Sequence, residues 1–264
     1  MKYQNDLPAV LTYGGGTNSS AILVELIKRG YEPPALIIFA DTGAEMPHTY
    51  AHIKIMSEYA VKNGYPAITV VRNEQPSKYG GIYNYCITNR MLPGIAYGHK
   101  NCSVQFKIEP MQKHINATIG KSEPHIRIVG YDFDEIKRAK NSEGKQRGAE
   151  IDWYPLIEWE MGRDECVQSL IDAGLPPAGK SSCFICPNMR AHEIKKLAQE
   201  YPELALKAIA LEDAAAVRRS EDGKQSGIHG LGRSWRWKDL IATDDMFGFT
   251  DLNRDAPCGC YDGD

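Results

Sequence analysis

Short apolar runs that alternate with stretches of helical spacing constrain this chain more than any other feature. Residues 9–13 (AVLTY), 35–40 (ALIIFA), 67–71 (AITVV) and 125–130 (HIRIVG) each have the length of a strand. The first three are apolar almost throughout, the pattern of strands covered on both faces. After the first run come Gly14-Gly15-Gly16-Thr17 and then Asn18, a residue suited to cap a helix. Apolar residues at helical spacing follow from Ser19 to Arg29, with Gly30 as the stop. A second helix is expected from about Pro47 to Asn63. Strands separated by helices pair in parallel, so the expected fold is α/β, a doubly wound and mostly parallel sheet. Polar residues gather just after the strands, at the sheet edge where such folds bind ligands.

The rest of the chain is less regular. Residues 74–106 are rich in Gly, Tyr, Asn and Pro and read as a long functional loop with at most short helices. A helix is expected over 164–173, stopped by Gly174 and Pro176. A helical region spans 190–219, residues 221–232 are polar and glycine-rich, and 251–264 show no periodicity. With 42% hydrophobic and 25% charged residues the chain is globular rather than disordered or fibrous. A net charge of −3 argues against a general coat for nucleic-acid phosphates but leaves room for a local basic groove. No apolar run approaches the roughly 20 residues a membrane span needs. Residues 1–8 lack a basic start followed by an apolar core, so a cytoplasmic chain without membrane contact is expected.

Glycines between a strand and a helix let the backbone approach an anion, and the amides of the first helical turn can bind phosphate. The spacing here is neither that of a P-loop nor that of a dinucleotide fingerprint. Gly14-Gly15-Gly16-Thr17-Asn18-Ser19 resembles the PP-loop motif Ser-Gly-Gly-x-Asp-Ser. Four further segments resemble those of the phosphoadenosine phosphosulfate (PAPS) reductase family: Phe39-Ala40-Asp41-Thr42-Gly43; Lys107-Ile108-Glu109-Pro110-Met111; Gly130 with Glu135 and Arg138-Ala139; and Tyr154-Pro155-Leu156-Ile157-Glu158-Trp159. The matches keep the family's order and cover about residues 9–190. The resemblance implies the PP-loop, adenine nucleotide alpha-hydrolase-like fold over residues 1–175 and a helical, cysteine-containing appendage over 176–264. It also implies an adenine nucleotide, ATP or an adenylyl sulfate, across the sheet edge. Tyr13, Gly14, Gly15, Gly16, Thr17, Asn18, Ser19 and Gly130 would form its binding loop. Asp41 and Thr42 would lie beside the ribose or phosphates, and Lys107, Lys137 and Arg138 would offset negative charge. Gly14 stands where the motif has Ser, and Asn18 where it has Asp. In PP-loop ATP pyrophosphatases that Asp is associated with magnesium, which stays open as a companion of the nucleotide. A reductase, whose substrate is already activated, is less affected by its replacement.

Seven cysteines, at positions 86, 102, 166, 183, 186, 258 and 260, are an odd number and argue against a pure disulfide framework. Cys183-Phe184-Ile185-Cys186-Pro187 has a spacing at which two thiolates converge on a metal or cluster, act as a redox dithiol, or simply pack. The family resemblance implies a third ligand at Cys102, where cluster-bearing adenylyl sulfate reductases carry Cys-Cys and this chain has Cys102-Ser103. Those reductases bind [4Fe-4S], and the resemblance implies the same cluster here, with zinc as the alternative for this chain. Cys258 or Cys260 could complete the set; the expected ligands are Cys102, Cys183, Cys186 and Cys260. Pro257-Cys258-Gly259-Cys260 also resembles the family's C-terminal catalytic-thiol tail, which makes Cys258 and Cys260 candidate nucleophiles beside Lys107 and Arg138. Cys166 falls in an expected helix and reads as a small core residue.

The leading expectation is a reductase or sulfurtransferase of sulfur metabolism, served by a sulfur- or electron-donor protein. A second is a nucleic-acid-modifying, ATP-dependent sulfurtransferase like those of DNA phosphorothioation or tRNA thiolation. Its distinguishing feature would be Arg233-Ser234-Trp235-Arg236-Trp237-Lys238, basic and aromatic side chains interleaved as in base-stacking surfaces. The same segment reads equally as a helix with buried tryptophans. A third is a non-catalytic nucleotide-binding module with structural zinc.

Overall fold

The computed structural model describes residues 1–3, 6–73, 79–142, 149–223 and 227–242. Five parallel strands form one sheet in the order β3-β2-β1-β4-β5: β1 (Ala9–Thr12), β2 (Leu36–Ala40), β3 (Ile68–Val71), β4 (His125–Ile128) and β5 (Glu150–Trp153). Leu11, Ile37, Phe39 and Ile128 point to one face, where they pack with α1 (Thr17–Lys28) and with Ile53, Met56 and Ala60 of α2 (Pro47–Lys62). Val10, Leu36, Ile38 and Ala40 point to the other and meet Met111 and Ile115 of α4 (Glu109–Thr118). The apolar runs are therefore continuous because both faces are covered. The chain changes face between β3 and β4, which places a switch point between the C-terminal ends of β1 and β4.

One local expectation is corrected, one is refined, and one strand is added. The N-cap of α1 is Gly16, not Asn18, which sits inside the first turn. The helical region 190–219 is two helices, α8 (Ala191–Glu200) and α9 (Pro202–Glu221), because Pro202 cannot continue the first. The fifth strand, β5, carries Glu150 and Asp152 and has no apolar signature. Arg127 of β4 accounts for both carboxylates, reaching Asp152 at 2.7 and 2.8 Å and Glu150 at 3.1 Å.

Residues 79–108 are more structured than a loop. They hold α3 (Ile82–Thr88), a 3-10 turn (Gly94–Tyr97), a short helical turn (Asn101–Ser103) and a π-helical stretch (Val104–Ile108) that runs into α4. Ile82, Leu92, Ala96 and Phe106 share a second core with Phe184, Ile185, Ile194, Leu211 and Trp237. The remaining helices are α5 (Ile136–Ser142), α6 (Pro155–Glu158), α7 (Arg163–Asp172), which packs on α1, and α10 (Trp237–Ala242). Among the described residues no helix is long and apolar enough to cross a membrane.

Candidate functional site: an anion cleft beside a thiol pocket

At the switch point lies an open cleft, about 720 Å³ of atom-free space with its mouth included. One wall is the loop after β1 and the start of α1: Thr12, Gly14, Gly16, Thr17, Asn18 and Ser19. Gly16 is extended and no side chain caps the helix, so the first-turn amides belong to residues of the cleft. The opposite wall is Gly130 and Tyr131 after β4, with Glu135 and Arg138. Lys107, Arg163 and Lys180 join Arg138 as cationic lining residues; Glu135 is the carboxylate of the lining, while Glu193 and Glu45 pair from outside it with Lys180 at 2.8 Å and Lys107 at 3.7 Å.

Asn18 is the electrostatic centre of the inner wall. Its amide nitrogen donates to Asp132 Oδ2 at 2.9 Å, to the Gly130 carbonyl at 3.2 Å and to Glu135 Oε2 at 3.3 Å. Its oxygen accepts from Arg163 at 3.1 Å. Burial holds the Asp132 and Glu135 carboxyls above the usual carboxylate range. A motif aspartate at position 18 would face two carboxylates at once; asparagine donates to both.

The other expected loop residues divide. Tyr13 is fully buried under the loop: its hydroxyl meets Ser20 Oγ at 2.7 Å, which meets His52 Nε2 at 2.9 Å and donates to the Gly16 carbonyl at 2.8 Å. Gly15 also lies behind the cleft. Its φ is +74°, and a Cβ there would stand 2.9 Å from Thr49. Asp41 does not line the cleft; its carboxylate accepts from the Gly43 amide, Tyr50 and Arg72. Lys137 is exposed and outside the cleft lining.

Thr42 belongs to a neighbouring pocket, lined also by Cys102, Cys183, Cys186, Ile82, Pro93 and Ile95. Three expected ligands thus line one small, largely apolar cavity. Lys107 lines this pocket and the cleft alike. A strap over residues 178–183 is the second connection. It receives Thr17 Oγ1 on the Ala178 carbonyl, Ser181 donates to the Gly14 carbonyl, and His48 contacts the Lys180 carbonyl. Two residues later Cys183 enters the thiol pocket. Its loop is stitched to the loop after β2: the Phe184 amide donates to Ala44 and the Met46 amide to Ser182. Among the described residues, no three His, Cys, Asp or Glu side chains gather closely enough to hold a single metal ion. Burial raises the Cys102 thiol. Cys86 and Cys166 are buried with thiols pushed up to about 12, as suits core residues. Cys258 and Cys260 lie outside the described residues.

The basic aromatic segment is mostly committed elsewhere. Trp237 is fully buried, and Arg236 pairs with Asp213. Arg233 donates to Asn188, while Trp235 stays partly exposed. Residues without a motif were missed from sequence: Arg163, Lys180 and Ser181 in the cleft, and Glu45, which contacts Thr42, Lys107 and Cys183 of the thiol-pocket lining. The first three are lone polar residues more than 140 positions from the loop after β1, and Glu45 takes its meaning from Lys107 and Cys183, both distant in sequence.

Among solved structures, a PAPS reductase from Candida auris in a phosphate complex is similar at 14% identity and a TM-score of 0.45, covering 67% of this chain and 76% of its own. A U34-tRNA thiolase from Methanococcus maripaludis with its [4Fe-4S] cluster is similar at 14% identity and a TM-score of 0.44, covering 91% and 82%. An uncharacterized protein of Methanocaldococcus jannaschii is 22% identical over 246 residues, 88% of this chain and 46% of that one, so the chain spans about half the length of this relative. The family model of the phosphoadenosine phosphosulfate reductase domain matches residues 8–173. That match runs from β1 through α7 and takes in the cleft loop, Lys107 and Arg138; the chain belongs to the phosphoadenosine phosphosulfate reductase family.

Proposed function

We propose that this chain binds an adenine nucleotide, ATP or an adenylyl sulfate, in the cleft and that thiols next door reduce or transfer sulfur. The observation that carries the reading is Lys107, which lines the cationic cleft and the three-cysteine pocket at once. Phosphates on the amides of residues 16–19 would lie within the field of Lys107, Arg138 and Arg163. Charge leaving with a phosphate or sulfate group would develop beside Lys107, at the wall where the thiols begin.

Cys102, Cys183 and Cys186 fit an iron–sulfur cluster by donor chemistry. They are three thiols lining one small apolar pocket, the donor type that iron–sulfur clusters take. Such a cluster, when bound, would supply electrons or a sulfur-binding iron. The protein's own part is to hold the nucleotide's phosphates, to keep the thiol pocket dry with Ile82, Pro93 and Ile95, and to set Lys107 between the two. A thiol at Cys258 or Cys260 is a further reactant in this reading.

The test is calorimetry on anaerobically purified protein with ATP and with adenylyl sulfate. Saturable binding of at least one is expected, weakened about tenfold, ~1.4 kcal/mol, by Arg138→Ala. No binding of either would overturn the reading.

A further inference from the structure

We infer that Glu45 is a positioning residue that moors Lys107 on the wall between cleft and thiol pocket. The inference rests on the functional reading above. The Glu45 side chain is entirely buried, and that of Lys107 is 6% exposed. One carboxylate oxygen, Oε1, takes three neighbours: Thr42 Oγ1 at 3.0 Å, Lys107 Nζ at 3.7 Å and Cys183 Sγ at 3.7 Å. Oε2 is buried with no hydrogen-bond partner. A carboxylate withdrawn from water is costly unless a cation compensates it, and Lys107 is the cation within reach.

The backbone makes the arrangement specific. Glu45 and Cys183 face each other across an antiparallel bridge that joins the loop after β2 to the Cys-x-x-Cys turn. Lys107 comes from the π-helical stretch Val104–Ile108, a local widening of the kind often found at functional positions. Three separate pieces of chain thus meet at one carboxylate. Its charge holds the ammonium at the partition, so a phosphate in the cleft meets Lys107 already in place. Without that charge the ammonium loses its buried counter-charge at the partition, and its contribution to phosphate binding falls.

The test is a double-mutant cycle with Glu45→Gln, Lys107→Met and their combination. The readout is ATP affinity by calorimetry on the full chain, or affinity for adenylyl sulfate if ATP does not bind. Glu45→Gln is expected to weaken binding about tenfold, and to change it less than about twofold once Lys107 is Met. Glu45→Asp, which keeps the charge, should recover most of the affinity. A Glu45→Gln effect that is absent in the wild-type background, or undiminished in the Lys107→Met background, overturns the inference and leaves the functional reading standing. Wild-type protein that binds neither nucleotide overturns both. If Glu45→Gln fails to fold, thermal melting of the combined variant decides. Recovery with the ammonium gone supports the pairing, and a combined variant that also fails to fold overturns it.

Discussion

Two buried residues under the cleft show how single side chains set its properties. His52 lies 5% exposed in the chain of contacts that runs through Ser20 to Tyr13. Burial, with His48 nearby, lowers its pKa to about 4, so the fold holds the imidazole neutral. A lowered folded-state value means stability that is present above the unfolded value near 6.5 and is lost as pH falls toward 4. Wild type should therefore lose on the order of 3 kcal/mol more than His52→Gln between pH 6.5 and pH 4, in melting experiments across that range. Parallel losses would contradict this assignment. Asn18 carries the second prediction. Asn18→Asp sets a third carboxylate against Asp132 and Glu135, so nucleotide binding without divalent cation should weaken about tenfold in calorimetry. Unchanged affinity would show that the neutral amide is not needed. Motif residues such as Gly16, Thr17 and Gly130 were legible because glycine and small polar residues between strand and helix carry a backbone meaning. Asn18 was read as a helix cap, but its side chain faces residues more than a hundred positions away, which local pattern does not report. Glu45 was not legible because its significance comes from Lys107 and Cys183, both distant in sequence.

At the level of elements, the first four strands and α1, α2 and α7 were read within a few residues of their bounds, since apolar period and turn residues agree there. β5 was not, because it is an edge strand whose two acidic residues face Arg127 of the neighbouring strand, hydrogen-bonded at Asp152 and ion-paired at Glu150, rather than following a solvent-facing pattern. The segment around Trp237 has an equally non-local cause. Glu212 of α9 is fully buried and accepts from the amides of Leu231 at 2.7 Å and Trp237 at 3.0 Å. This carboxylate folds residues 230–238 back onto the helix and inserts Trp237 into the second core. Glu212→Ala leaves those buried amides without partners. It should cost about 3 kcal/mol and lower Tm by roughly 6–12 °C. Nucleotide affinity should stay within about twofold, because the segment is remote from the cleft lining. A variant that melts like wild type would contradict this role.

Across the whole molecule, the sheet supplies the cleft, and a core built jointly from residues 82–106 and the C-terminal helices supplies the thiol pocket. The change of sequence character near residue 175 was legible. The meeting of the Cys-x-x-Cys turn with Cys102 follows from the family resemblance, whereas the apolar packing of that turn against residues 82–106 has no signal in either segment. Lys107 lines both pockets, and the strap over 178–183 lends Gly179, Lys180 and Ser181 to the cleft and Cys183 to the thiol pocket. The most direct measurement is a titration of anaerobically purified protein with ATP and with adenylyl sulfate, followed by visible absorption. A thiol-held cluster next to an occupied cleft predicts a broad visible band that shifts or changes intensity with the same midpoint as calorimetric binding. Saturable nucleotide binding that leaves the spectrum untouched, or protein with no such band, would contradict a shared site.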